Sequence, residues 1–184
     1  MVIELKPVTG GFLRPFGCAE FIVESLKGNG PAASKIFGPD TGAPMTDIHF
    51  EYKSALHRAH ARDAVEREEE KRIRRGKPAY TEEEYLERLR YFLDRIPYKL
   101  HKMRYASFTR YFDHLKRLNW VEETGMTEPS AIQDDYPPAP PRVYYRLTDA
   151  GWKATADEIS DPLMTLYHYT REQRSAKRSR YARY

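Results

Sequence analysis

The side chains of this chain with the most evident chemistry lie between residues 99 and 117. Lys99, Lys102, Arg110 and Arg117 are cations, Ser107 and His114 can hydrogen-bond, and Ala106 is small enough to leave room for a close approach. Arginine and lysine bond phosphate oxygens and the acceptor edges of bases, so a set like this suits a polyanion. On a helix over residues 98–118, at about 3.6 residues per turn, Lys99, Lys102, Ala106, Arg110, Asp113 and Arg117 share one side. Ser107 and His114 flank them, while Tyr105, Phe108, Phe112 and Leu115 share the opposite side. Such a helix is apolar toward its own domain and cationic outward, as a major-groove helix must be. An ordinary amphipathic helix with solvated charges shows the same periodicity.

Other reactive residues are poorly placed for chemistry. His57, His60 and Asp63 have a spacing that gathers metal ligands on a helix face, but no cysteine joins them and no fourth ligand stands at a diagnostic interval. Solvated amphipathic side chains are the expectation there, with no metal and no cofactor. Cys18 is the sole cysteine, which excludes an internal disulfide and reads as a small buried thiol. The glycines of Gly10-Gly11 and Gly28-Asn29-Gly30 are turn glycines and do not form a phosphate-cradling loop. With no nucleophile elbow and no carboxylate pair in a recognisable setting, the chain is not expected to be an enzyme.

Composition sets the frame. The 184 residues are 40% hydrophobic and 32% charged, with 14 Tyr against 8 Phe, which allows a modest core under an ionic surface. A formal net charge of +4 is a weak signal, but its distribution is uneven. Basic blocks over 98–118 and 171–184 enclose an acidic stretch that includes Glu122, Glu123, Glu128, Asp134 and Asp135, which predicts separate basic and acidic faces. No apolar run approaches the ~20 residues that cross a bilayer, and the N-terminus lacks a signal-peptide pattern. A soluble, cytoplasmic protein without a membrane partner is expected.

Several elements must position the basic helix. Apolar spacing predicts a short helix over 18–27, stopped by Gly28-Asn29-Gly30-Pro31. A second short helix is expected over 31–37 with Ile36 and Phe37 inward, then a loop over 38–44. Asp47 can cap a long helix to residue 75, apolar at Ile48, Tyr52, Ala55, Leu56 and Ala59 and polar all round after Val65. Thr81 and Glu84 make a capping-box signature for a helix over 82–96, antiparallel to its predecessor. After the basic helix, Asn119 reverses the chain. Strands are predicted over 120–124 and 142–147, the latter alternating Val143, Tyr145 and Leu147 against Arg142, Tyr144 and Arg146, and Thr148 caps a further helix. The expected organisation is a helical part over 1–97, the basic helix and strands over 98–152, and a C-terminal helix with a basic tail over 153–184.

SFTRYFDHLKRLNWVE followed by PPRVYYRLTDAGW resembles the winged helix-turn-helix superfamily, and within it PadR-type and MarR-type regulators. The resemblance implies a mainly α fold with a small two-stranded β-wing and a helical-hairpin insertion or extension. It implies a transcriptional regulator, probing the major groove of double-stranded DNA with helix 98–118 while the wing, with Arg142 and Tyr144 on its outer face, touches flanking backbone. Members typically dimerise through a terminal helix, here one carrying Leu163, Met164, Leu166 and Tyr167 with Pro162 near its start. Either helix 31–37 is the motif's second helix and the hairpin is inserted, or helix 81–96 is the second and the early helices are an extension. The loop over 125–141 is long, acidic and proline-rich, which predicts a wing turned from phosphate or docked on protein. In the tail, Arg178 and Arg180 interleave with tyrosines, a pattern that holds phosphates and stacks on bases. The alternative function is a protein-interaction module docking through the charged hairpin 47–96 or the acidic wing loop.

Overall fold

The computed structural model describes residues 15–30, 38, 40–129 and 140–181, with side chains as far as Arg171. It is mainly helical, with a small three-stranded antiparallel sheet. Along the chain come α1 (Cys18–Leu26), β1 (Ala43–Pro44), α2 (Met45–Arg74), α3 (Glu82–Leu93), α4 (Tyr98–His101), α5 (Tyr105–Arg117), β2 (Val121–Glu128), β3 (Arg142–Leu147), α6 (Asp149–Lys153), α7 (Ala156–Ser160) and α8 (Pro162–Tyr181). The helix expected over 31–37 lies outside the described residues.

The sheet has a strand more than expected. Its order is β1-β3-β2, with Ala43 opposite Tyr145 and Val121 opposite Leu147. The loop expected over 38–44 therefore ends in a two-residue strand, too short to leave any alternation in the sequence. Gly42 makes this pairing possible. It sits at φ +65°, and a Cβ there would run into the backbone carbonyl of Tyr145. The strand predicted to stop at Thr124 runs on to Glu128, because a register shift between Glu123 and Thr127, with Gly125 at φ +80°, absorbs the irregularity as a bulge.

One core joins all layers. Ile22, Val23 and Leu26 of α1, Ile48, Tyr52 and Leu56 of α2, Phe108, Phe112 and Leu115 of α5, and Tyr145 and Leu147 of β3 are buried together, with Ile159 and Leu166 from α7 and α8 at its edge. Phe16, Phe21 and Tyr52 form a ring cluster at its base, with centroids 5.2–5.7 Å apart. Helix α2 begins at Met45, with Pro44 rather than Asp47 at its N-cap. Beyond Val65 it leaves the core and pairs with α3 as an antiparallel hairpin. Arg88 grips Glu68 through Nε and Nη2 at 2.6–2.9 Å, and Arg72 approaches Glu84 at 3.6 Å. The Thr81–Glu84 capping box forms as its spacing suggests. No residue of α3 is fully buried, so the hairpin is held by ion pairs and partial burial rather than by a core of its own.

Candidate nucleic-acid interface

Helix α5 owes its orientation to Phe108, Phe112 and Leu115, which are 0–2% exposed and fix its apolar face on the core. Its end is sharply set. Asn119 adopts φ +58°, its N–H bonds the Lys116 carbonyl and Trp120 N–H bonds the Leu115 carbonyl, a Schellman closure with asparagine in the left-handed position. Thr148 N–H then bonds the Trp120 carbonyl at 3.0 Å, tying the exit of α5 to the end of β3. With its back and its end fixed, α5 turns Ala106, Arg110, Asp113, Lys116 and Arg117 to the exterior, with Ser107 and His114 half-buried beside them.

The single helix expected over 98–118 is two. Lys102 and Arg104 are extended, at ψ 125° and ψ 137°, and they separate α4 from α5. The cause is local packing. Met103 is 5% exposed, buried in the core, and its carbonyl accepts a hydrogen bond from His49 Nε2 at 2.9 Å, so it is not used for a helical turn. Lys99 thus belongs to α4, and Lys102 lies in the link, its ammonium 5.9 Å from the Tyr98 ring centre. Neither is on the helix that carries Arg110. In exchange Arg104 is the exposed N-cap residue of α5. The helix break that exposes it depends on His49, remote in sequence.

Of the outward cations, Arg104 and Arg110 form no ion pair with any described residue. Arg117 lines a groove of about 390 Å³ with Leu163, Leu166, Tyr167, Thr170 and Arg171 of α8, at the distal end of the face. His114 is partly withdrawn, its Nδ1 buried with no hydrogen-bond partner among the described residues.

The wing residues expected to reach outward turn inward. Arg142 pairs with Asp47 of α2 and, at 2.6 Å, with Glu128 across the strands. Tyr144 is 3% exposed and its hydroxyl donates to Glu128 at 2.9 Å, so the ring is structural rather than ligand-facing. Arg146 pairs with Glu122 at 2.8 Å. Lys116, on α5, reaches Glu123 of β2 at 2.7 Å. Glu123 raises the lysine's pKa and the lysine lowers that of the carboxylate. The tip of the wing, with Asp134 and Asp135, lies outside the described residues.

His57 and His60 have a different role from the solvated one expected of them. His57 Nε2 donates to the Leu93 carbonyl at 2.8 Å and His60 Nε2 to the Leu100 carbonyl at 3.2 Å. Among the described residues no cluster of three or more metal-ligating side chains occurs. The tail expected as an arm is helical as far as Tyr181 within α8, with Pro162 as its first residue; the side chains of Arg178 and Arg180 are outside the described set. No helix among the described residues is long and apolar enough to cross a membrane. No protein-family model, curated protein or solved structure matches the chain.

Proposed function

We propose that the chain is a winged-helix DNA-binding protein, a transcriptional regulator that presents α5 to the major groove. The observation that carries this is the outer face of α5. Arg104 and Arg110 are exposed and unpaired among the described residues, beside small Ala106 and Ser107, on a helix whose back is locked to the core. The succession α1, β1, α2, α5, β2, β3 with strand order β1-β3-β2 supports it, since a winged helix places its elements this way. In this reading α2 itself is the second helix of the motif, and the hairpin from its outer half through α4 is inserted ahead of α5. The exposed Leu163, Met164 and Tyr167, on one side of α8, are proposed as the contact of a homodimer, which light scattering over a concentration series checks.

A selection from a random duplex pool tests the reading. Enrichment of one sequence is expected, and no binding to any duplex at low salt would sink it. On the enriched site Arg110→Ala is expected to cost ~1–3 kcal/mol and to relax preference at one base position. A second reading, a protein-interaction module, is favoured by the wing, where Arg142 and Arg146 are neutralised internally and leave no cationic clamp among the described residues. It predicts weak, sequence-indifferent binding at low salt and none at physiological salt.

A further inference from the structure

The inner face of α2 carries a line of imidazoles with a common task. His49, His57 and His60 each hand an Nε2–H to a main-chain carbonyl of the returning segment: Met103 at 2.9 Å, Leu93 at 2.8 Å and Leu100 at 3.2 Å. A carbonyl only accepts, so each ring is held in its Nε2–H tautomer, and Nδ1 is the atom left to take a second proton. His101 of α4 completes the seam, its ring stacked on His57 with centroids 4.4 Å apart. These contacts span the whole path from the end of α3 to the N-cap of α5. Few others hold that path: α4 buries no residue, and Met103 is the one side chain of the link that enters the core.

We propose that this seam is a proton-sensitive clamp that sets where α5 begins: His49 and His101 are the groups that take the proton, and His57 and His60 are positioning residues that hold the Leu93 and Leu100 carbonyls. When neutral, the imidazoles fix the carbonyls of 93–103 and hence Arg104. A proton on His49 or His101, partly buried beside Lys53, opposes closure and releases the segment.

The surroundings of the seam offer charged imidazoles little relief. From α2, Lys53 faces both His49 and His101, and His57 and His60 face His101. On α4 and the link, Tyr98 stands edge-on to His101 at 5.3 Å, with Lys102 over its ring. From α5, Tyr105 and Phe108 stand 5.3 and 4.9 Å from the His49 ring. Among the described residues no carboxylate bonds any of the four rings, and Lys53 acts on both His49 and His101. Burial lowers the pKa of His101 below its ordinary value, with His57, Lys53 and His60 adding to it. Burial likewise lowers that of His49, against a smaller opposing effect of the Met103 hydrogen bond. A base with a lowered pKa in the closed state binds protons more readily in the open one. The seam is therefore at full strength above the ordinary histidine value of about 6.5 and loses hold as the pH falls below it. The clamp is independent of the ligand α5 takes.

Amide hydrogen exchange tests it without DNA. Between pH 7.5 and 5.0, after correction for intrinsic rates, amides of residues 94–104 are expected to exchange about three- to tenfold faster while those of α1 hold. The double variant His49→Gln and His101→Phe keeps a donor at position 49 and a ring against His57 but cannot charge at either site, and its exchange is expected to be flat with pH. Acceleration in the variant equal to that of the parent overturns the clamp. Should the variant not fold, the parent alone decides. Imidazole resonances of His49 and His101 that titrate at the free-histidine value, with unchanged exchange over 94–104, also overturn it.

Discussion

The outer face of α5 and the β2–β3 pair beside it, the proposed wing, each carry arginines, and the fold treats the two differently. On the wing, Arg142 is taken by Asp47 and Glu128 and Arg146 by Glu122. On α5, Arg104 and Arg110 have no acidic partner among the described residues. Strand pairing explains the contrast. Antiparallel register sets Glu122 opposite Arg146 and Glu128 opposite Arg142, so complementary charges meet by construction. On the outer face of α5 only Lys116, at the end nearest β2, is met by a strand carboxylate among the described residues, Glu123; Arg104 and Arg110 lie beyond that reach. Formal charge in the sequence thus overstates what the wing can offer a polyanion and understates the share borne by α5.

The largest effect on this contrast comes from removing the frame under both regions. Gly42→Ala puts a Cβ against the Tyr145 carbonyl at a positive φ, which detaches β1 from β3 and is expected to cost about 3 kcal/mol or more in urea unfolding. A change under about 1 kcal/mol would mean that β1 is dispensable to the sheet. Next, Arg142→Ala leaves Asp47 and Glu128 in a half-buried site without their cation. It is expected to cost ~1–3 kcal/mol of stability. Its duplex affinity at a temperature where it is fully folded should match the parent's. If stability is kept and affinity falls with a flatter salt dependence, Arg142 is a phosphate contact and the contrast between wing and helix breaks.

The sequence discloses this arrangement unevenly. The apolar back of α5, the reversal at Asn119 and the capping box at Thr81 all rest on local chemistry, and each is formed as its residues suggest. Features that depend on distant partners were not legible. The split of 98–118 into α4 and α5 follows from His49 capturing the Met103 carbonyl across 54 residues, and no periodicity in the segment itself marks it. Strand β1 is two residues long and exists because Tyr144 and Tyr145 lie beside it. Tyr144 fits an alternating strand with its ring outward, yet Glu128 fastens its hydroxyl and the ring is covered. Among the site residues the outward position of Arg110 followed from periodicity, whereas Arg104, exposed by the helix break, did not.

Lys116 allows the finest test because it belongs to both regions. It sits on α5, yet its ammonium is bound to Glu123 of β2 at 2.7 Å and lies 5.2 Å from the ring centre of Tyr145, so its charge is committed to the wing. Both partners of the pair are well exposed, at 39% and 51% of their side chains, which limits its worth to under about 1 kcal/mol. Lys116→Ala is therefore expected to lower stability only slightly. In a DNA titration over a range of salt, it should leave the slope of log affinity against log salt unchanged, even though it removes a cation from the helix proposed to enter the groove. A phosphate-contacting cation would instead flatten that slope by about one unit. A flattened slope for Lys116→Ala would show that DNA draws the lysine away from Glu123, and the division between a committed wing and a free helix face would then hold only for the unbound protein.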